Sequence, residues 1–182
     1  RRADFVFKPE PLAESVARAK SETDFPVVIA DHGDNCGAGG SVDDMTVLGE
    51  MLEQGLQGII AGPIWDPQAV DELVAQGQGA RVTVSVGGRT NVASIGQVGR
   101  GLELNGTVEC ITDGKFTITA PMQTGLEVNL GRTVVLKTDS VELVISEQRW
   151  EPYDTGCFTH AGLDPLAARY ILLKSRQHFR AG

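Results

Sequence analysis

The sequence predicts an α/β fold, with a mostly parallel sheet, flanking helices and an antiparallel β region around residues 88–150. Three observations predict it. A continuous apolar run at residues 27–30 suits a strand that is covered on both faces. Strands then alternate with helices, a pattern typical of parallel strands joined by right-handed crossovers. From residue 88 the helical period is lost, and short strands separated by turn signals replace it.

The parallel half begins with a short helix predicted at residues 12–20, ahead of the strand at 27–30. A second helix follows that strand, because apolar side chains recur there at helical spacing: Met45, Leu48, Met51 and Leu52. Residues 59–61 form the next strand, and Asp66 with Pro67 begins a third helix that has proline in its first turn. Residues 82–86 are the third strand.

The antiparallel half contains four predicted strands, at residues 102–112, 116–120, 133–137 and 141–146. Asp113-Gly114 is the stronger hairpin signal in this half, and Asp139-Ser140 is the second. After these strands, the apolar run at residues 170–173 predicts one more buried strand. We expect this last strand to rejoin the first sheet.

Composition excludes several classes of partner. The net charge is −8 and the basic residues are scattered, which argues against a nucleic-acid partner. The apolar runs are far shorter than the roughly 20 residues that cross a membrane. Three widely spaced cysteines, Cys36, Cys110 and Cys157, are expected to be free thiols of a reducing compartment. We therefore expect a soluble, cytoplasmic protein that binds neither nucleic acid nor membrane.

The densest group of reactive side chains lies in the loop of residues 31–40, directly after the first strand. This loop gathers two carboxylates, one imidazole, one carboxamide, one thiol and four glycines. The carboxyl ends of strands in α/β sheets form ligand crevices, and glycines let backbone N–H groups approach an anion. We expect a substrate to be bound there by the following residues: Asp31, His32, Gly37, Gly39 and Gly40.

The same loop also has a purely structural interpretation as a tight strand-to-helix turn. In that interpretation Asp34 and Asn35 make turn hydrogen bonds, and Ser41 or Asp43 caps the following helix. We favour a functional loop, because a simple turn rarely needs so many polar side chains together. Cys36 at a helix start is a candidate nucleophile if its pKa is lowered, although free cysteines more often pack inertly.

Two residues outside the loop are further candidates. Trp65 ends the second strand and is expected to line the same crevice as a substrate-binding residue, with a core tryptophan as the alternative. His178 lies just past a buried strand, where a histidine can carry a proton or bind a ligand, with a surface histidine as the alternative. The three histidines lie in separate segments and the cysteines lack ligand spacing, so we predict no metal ligand set in this chain. Asp31-His32 is the alternative, because an Asp and a His at a strand end could complete a metal site begun elsewhere or hold a weak one alone.

Four stretches follow one another along the chain from Phe25 to its end: PVVIADHGDNCGAGGSVDD, AGPIWDPQAVDELVAQGQGARVTVSVGG, TAPMQTGLEVNLGRTVVL and KSRQHFRA. Together they resemble the C-terminal domain of the microcystinase (MlrC) family of candidate zinc metallopeptidases. The family's D-N-x-G-x-G-like loop begins at Asp34, and its K-S-x-x-H-F motif begins at Lys174. Many relatives have proline where this chain has Cys36, which indicates a different branch.

The resemblance implies a two-domain, zinc-dependent hydrolase of amides or peptides. The namesake degrades linearised microcystin peptides. Residues 1–182 would be one C-terminal domain of a larger chain, in keeping with a first residue that is not methionine. An N-terminal domain outside this chain would supply the zinc ligands. Asp34, Asn35 and His178 would be catalytic residues at the cleft, and the isolated domain would be inactive.

Two alternatives come from other classes of protein. In one, the loop of residues 31–40 captures a small carboxylate or phosphate in a binding module without chemistry. In the other, this is a structural or oligomerisation domain whose partners are further copies of the chain. The enzyme hypothesis instead expects two partners, a peptide or amide substrate and the missing N-terminal domain.

Overall fold

The structure is a computed structural model that describes residues 9–93, 96 and 98–181. The described strands are β1 Val27–Ala30, β2 Ile59–Trp65, β3 Arg81–Val86, β4 Leu102–Thr112, β5 Lys115–Thr117, β6 Glu127–Asn129, β7 Thr133–Lys137, β8 Val141–Ser146 and β9 Tyr170–Leu173. The α-helices are α1 Leu12–Ser21, α2 Thr46–Glu53, α3 Pro67–Gln76 and α4 Gly156–Thr159. Short 3₁₀ turns occupy His32–Asp34, Cys36–Ala38, Pro165–Ala167 and His178–Ala181. The non-methionine start of the chain lies outside the described residues.

Seven of the strands form one mixed sheet in the order β1-β9-β2-β8-β7-β4-β3. The first four strands of that order pair in parallel. From β8 to β3 every pairing is antiparallel. β5 and β6 form a separate antiparallel ribbon. This confirms the predicted α/β class, with a parallel core and an antiparallel region.

The last strand rejoins the first sheet, as predicted. β9 lies between β1 and β2, so that Tyr170 is in register with Val27 on one side and Ile59 on the other. The first two strands of the chain are therefore parallel without being neighbours. Asp139-Ser140 also forms the expected hairpin turn, joining β7 to β8.

Two pairings differ from the simplest prediction. β3 runs antiparallel to β4 at the far edge of the sheet, because the chain after β3 turns back through the loop of residues 87–101 instead of crossing the sheet. The Asp113-Gly114 turn joins β4 to β5, but β5 pairs with β6. The Asp113-Gly114 turn is therefore confirmed, but the predicted hairpin between the two strands that it joins, β4 and β5, was wrong.

Alternating residues of the strands face two hydrophobic layers. On one face, Ile59 and Leu143 belong to the larger cluster, which also contains buried residues of α1, α2 and α3. On the other face, Ile60 and Val144 pack with residues of α4 such as Phe158. Burial on both faces explains the continuous apolar runs of β2 and β9. The prediction that the run at residues 27–30 is covered on both faces was wrong, because β1 lies at the edge of the sheet and its Val28 is 42% exposed. No helix in the described part of the chain is long and apolar enough to span a membrane.

Candidate functional site

The carboxyl ends of the four parallel strands meet along one edge of the sheet. Asp31 follows β1, Lys174 follows β9, Trp65 ends β2, and Arg149 lies just beyond β8. A cavity of about 600 Å³ opens at this edge. Its lining consists of Asp31, Gly33, Asp34, Gly39, Gly40, Ser41, Asp44, Thr46, Val47, Thr90, Val92 and Arg149. This is the position at which open α/β sheets bind ligands.

Asp34 organises the loop that forms one wall of the cavity. One carboxylate oxygen accepts hydrogen bonds from the Val42 backbone N–H at 2.7 Å and the Ser41 hydroxyl at 3.0 Å. The other accepts from the Asp44 backbone N–H at 2.9 Å. The carboxylate is buried, so these donors replace its water. Asp34 therefore holds the chain between the loop and α2 in place.

Lys174 is paired with two acidic side chains of this wall. Its Nζ lies 2.7 Å from the Asp31 Oδ2 atom and 3.1 Å from the Asp34 Oδ2 atom, and it also donates to the Asp44 carbonyl. Burial acts to lower the pKa of Lys174, but the charges of Asp31 and Asp34 outweigh burial and raise the pKa above its ordinary value. Lys174 is therefore a charged ammonium enclosed by carboxylates.

A second buried cluster is centred on Glu151. Its Oε1 atom accepts from the Asn35 side-chain amide at 2.9 Å and the Ser175 hydroxyl at 2.7 Å. The same oxygen lies 3.0 Å from Nδ1 of His178. Glu151 and Ser175 are buried, whereas 47% of the His178 side chain is exposed. A buried carboxylate thus orients a half-exposed imidazole through its Nδ1 atom.

Two glycines are required by close approaches within this loop. A Cβ atom on Gly37 would lie 2.8 Å from the Glu151 Oε2 atom, and one on Gly40 would lie 2.4 Å from the backbone carbon of Asp34. The Gly37 N–H also donates to the Asn35 Oδ1 atom at 2.7 Å. Glycine therefore lets the loop fold tightly over Glu151 and onto itself.

Trp65 packs against Arg149, which lines the cavity. The Arg149 Cζ atom lies 3.3 Å from the centre of the Trp65 ring, and its Nε donates to the Ser41 carbonyl at 2.9 Å. The Trp65 indole N–H donates to the Glu147 carbonyl at 3.0 Å. Both side chains are therefore held in defined orientations.

A second loop, described at residues 87–93, 96 and 98–101, contributes Thr90 and Val92 to the cavity. The buried Asp66 carboxylate accepts from the Gly87 N–H at 2.8 Å and from Arg89 at 3.0 Å, while also capping α3 through the Ala69 N–H. The buried Asp43 side chain accepts from the Thr90 N–H at 2.8 Å. These two aspartates fix the segment from which Thr90 reaches the cavity.

The family profile described as MlrC C-terminus matches residues 29–182 of this chain. The chain belongs to the MlrC family. The match includes both polar clusters, the loop of residues 31–40 and the cavity-lining part of the second loop.

Two relatives place the MlrC match in context. Microcystinase C from Sphingomonas sp. is 34% identical over 171 residues, which cover 94% of this chain and 32% of that protein. A crystal structure of a candidate metallopeptidase from Mesorhizobium sp. BNC1 matches with a TM-score of 0.84 at 23% identity, covering 98% of this chain and 35% of that chain. At 23% identity, the similarity to this crystal structure shows only that the two chains share a fold. This chain spans about a third of the length of either relative.

Two acidic side chains of the cavity wall are paired with a lysine. Both Asp31 and Asp34 form ion pairs with Lys174. Within residues 9–93, 96 and 98–181, no three His, Cys, Asp or Glu side chains converge so that they could hold a metal ion.

The cysteines of this chain are free thiols, and Cys36 lacks the environment of a nucleophile. Burial raises the pKa of the Cys36 thiol, and the neighbouring charges of Glu151 and Asp34 raise it further. A raised pKa disfavours the reactive thiolate. The helix that was expected to lower it is a 3₁₀ turn of three residues, Cys36–Ala38.

The structure brings some of the predicted site residues together at the cavity and places others elsewhere. Asp31, Asp34, Gly39 and Gly40 line the cavity. The other predicted residues are not part of its lining: His32, Asn35, Gly37, Trp65 and His178. Asn35, Gly37 and His178 contact Glu151 or approach it closely, Trp65 lies beneath Arg149, and His32 is exposed in its 3₁₀ turn.

The structural interpretation of the loop named the wrong capping residues for α2. Neither Ser41 nor Asp43 caps α2, which begins after Met45 without a side-chain cap. The Asp44 side chain accepts from the Thr46 N–H at 2.7 Å instead. Ser41 and Asp43 are bonded to Asp34 and to the second loop, respectively.

Three residues of the site were not assigned from the sequence: Lys174, Glu151 and Arg149. Each lies just past a buried strand at the carboxyl edge of the sheet. That position was a usable signal, because charged residues directly after continuous apolar strands lie at the ligand crevice. Their partners are remote in sequence, however, so spacing could not show which charges pair.

Proposed function

We propose that this chain is the C-terminal domain of a zinc-dependent amide or peptide hydrolase and that its polar loop faces the substrate. The observation that carries this proposal is the cavity at the carboxyl edge of the parallel strands, walled by the loop of residues 31–40. Membership of the MlrC family and the names of the two relatives support peptide hydrolysis. In the proposal, zinc is bound by ligands outside this chain.

His178 is the proposed proton carrier of this domain. Its Nδ1 is 3.0 Å from the buried Glu151 carboxylate, which fixes the ring orientation. The Nε2 atom of the half-exposed ring can then take a proton from an attacking group and return it to a leaving amine. Glu151 acts as a positioning residue, because its Oε1 atom, which contacts His178, also accepts hydrogen bonds from Ser175 and Asn35.

Asp34 and Asn35 contribute to the proposed activity by holding groups in place. The Asp34 oxygens are occupied by Ser41, Val42 and Asp44 as donors, with Lys174 alongside. Asn35 connects the glycine turn to Glu151. Their role is therefore to present the backbone of residues 39 and 40 to the cavity and to orient the imidazole. Such preorganisation is a major source of transition-state stabilisation.

The proposal is tested by His178→Gln in the complete enzyme. Loss of general acid–base catalysis is expected to lower kcat by about 10²- to 10⁴-fold. The free energy of unfolding should change by less than about 0.5 kcal/mol, because the side chain is half exposed. Gln177→Ala, at the exposed neighbouring position, is the matched control. Unchanged kcat in His178→Gln with unchanged zinc content would refute the role.

A second measurement separates the enzyme from a binding module. The isolated 182-residue chain is expected to retain no stoichiometric zinc after dialysis and to hydrolyse no peptide. The complete enzyme should do both. Ligand binding without turnover in the complete enzyme would favour the binding module. Stoichiometric zinc in the isolated chain that disappears in His32→Ala would place the metal site here instead.

A further inference from the structure

Arg149 is the one lysine or arginine among the described residues that line the cavity. Its Nε is bonded to the Ser41 carbonyl, and its guanidinium lies flat on the Trp65 ring. Arg149 is exposed, and these two contacts do not use its terminal nitrogens, Nη1 and Nη2. These nitrogens are a planar pair of donors whose spacing matches the two oxygens of a carboxylate.

The charge of Arg149 is not neutralised by a neighbouring carboxylate. In the described part of the chain no Asp or Glu oxygen lies within ion-pair distance of its guanidinium, whereas Arg89 and Arg132 each have such a partner. The other cation at this edge, Lys174, is enclosed by Asp31 and Asp34. Arg149 is therefore the group at the cavity that is available to an anion.

The surroundings of Arg149 favour a carboxylate over a phosphate. Asp31 and Asp34 lie in the same wall against the single positive charge of Lys174, and this excess of negative charge would repel a dianion more strongly than a monoanion. Gly39, Gly40 and Thr90 leave room beside the guanidinium, and Val47 offers apolar surface to a carbon chain. A carboxylate on a short aliphatic stem fits this combination of charge, space and apolar contact.

We propose that Arg149, supported by Trp65, binds a carboxylate of the substrate and so selects acidic peptides. The proposal that the ligand is a peptide rests on the proposed hydrolase function, but the anion site rests on the geometry of Arg149 alone. Trp65 acts as a positioning residue, since it orients Arg149 from below. This assigns to Trp65 a part in substrate binding that does not require it to line the cavity.

The test uses two peptides that differ in one charge, N-acetyl-Ala-Glu-Ala-amide and N-acetyl-Ala-Gln-Ala-amide. Their binding to the 182-residue chain is followed by NMR titration, which needs neither zinc nor turnover. The Glu peptide is expected to bind about tenfold more tightly, as for a charge-assisted bidentate pair. Arg149→Gln should abolish this preference, and Arg149→Lys should retain only part of it, because an ammonium lacks the planar pair of donors.

Arg81→Gln, at an exposed arginine of β3, is the control and should leave the preference unchanged. Spectra of residues remote from the cavity report whether each variant keeps its fold. Equal binding of the two peptides, absence of detectable binding of the Glu peptide, or a preference that survives in Arg149→Gln would each overturn the proposal. Because hydrolysis is not measured, a failed hydrolase hypothesis would leave the preference for the Glu peptide intact.

Discussion

Asp34, within the loop of residues 31–40, and Glu151, which contacts that loop, are almost equally buried, at 6% and 8% exposure, yet they organise different kinds of cluster. Asp34 is surrounded by backbone donors, the Ser41 hydroxyl and a lysine that is itself buried. Glu151 collects side-chain donors, and the last of them, His178, is half exposed. One cluster is closed and the other opens to solvent.

The difference shows how a buried charge can serve either stability or function. In the closed cluster both oxygens of the carboxylate are already bonded to backbone donors, a hydroxyl and a buried lysine. In the open cluster the buried carboxylate holds a titratable ring that is half exposed. We therefore expect changes in the first cluster to affect mainly the free energy of unfolding, and changes in the second to affect mainly turnover.

The largest effect is expected from Lys174→Met, which removes the cation of the closed cluster. It leaves Asp31 and Asp34 as adjacent, partly or fully buried carboxylates without their counter-ion. Breaking a buried pair from one side costs about 3–5 kcal/mol. The expected result is a loss of that size in the free energy of unfolding, measured by urea denaturation of the isolated chain.

Lys137→Met is the matched control for this prediction. Lys137 pairs with Glu142 at 2.9 Å, but its side chain is 49% exposed. An exposed pair of this kind contributes no more than about 1 kcal/mol. If both variants lost the same small amount, the closed cluster would not have the stabilising role that its burial indicates.

A smaller effect, on turnover, is expected from Asn35→Ala in the open cluster. The variant removes the hydrogen bond to Glu151 and the bond that closes the glycine turn, so the orientation of His178 is lost. We expect kcat of the complete enzyme to fall at least about tenfold, which corresponds to roughly 1.4 kcal/mol. Asn129→Ala is the control, because the Asn129 side chain accepts a similar turn bond from Gly131 at an exposed site. Unchanged kcat in Asn35→Ala would return the loop to a structural role.

The smallest effect concerns pH and a histidine outside both clusters. The Nδ1 of His160 contacts the Gly156 carbonyl at 2.7 Å, and its buried Nε2 has no hydrogen-bond partner among the described residues. Burial lowers the pKa of His160 below its ordinary value of 6.5. The folded state therefore binds this proton less readily than the unfolded state.

The consequence of this lowered pKa is a loss of stability as pH falls from 6.5 towards the lower pKa of the folded state. Above pH 6.5 both states carry a neutral His160, and the contribution is complete. Urea denaturation between pH 7.5 and 5 should show the decrease, and His160→Phe should make that part of the curve flatter. An unchanged slope in the variant would show that another group titrates there. His178→Gln is the control variant, because the His178 side chain is half exposed and lies beside the Glu151 carboxylate, whereas the His160 Nε2 is buried without a partner among the described residues.

Local elements of the fold could be predicted from the sequence because their causes are local. The cap of α3 is one example, since Asp66 precedes Pro67 and accepts from the Ala69 N–H. The apolar run Tyr170–Leu173 is another, since only a strand covered on both faces suits it. Turn residues were not enough to predict strand pairing, because Asp113-Gly114 specifies a turn but not which strands pair on either side of it.

The site was less predictable because its bonds connect remote segments. The sequence identified a polar loop, but it gave no sign that Asp34 would be occupied by Lys174 or that Asn35 would bond to Glu151, 116 positions away. Turn bonds to Asn35 were foreseen in the structural interpretation of the loop, and Gly37 indeed donates to its side chain. Both interpretations of the loop were therefore partly right about its geometry, and the catalytic roles of its residues stay predictions.

The insertion of β9 between β1 and β2 has a consequence for the order of events during synthesis. In the described part of the chain β1 pairs only with β9, and Asp31 meets Lys174 across 143 positions of sequence. Until β9 has emerged from the ribosome, β1 has no neighbouring strand among the described strands, and Asp31 and Asp34 lack Lys174. The antiparallel strands, whose partners are nearby in sequence, can pair sooner, because contacts of low sequence separation form faster. The pairing of β1 and the contact between Asp31 and Lys174 can therefore form only after β9 and Lys174 have been synthesised.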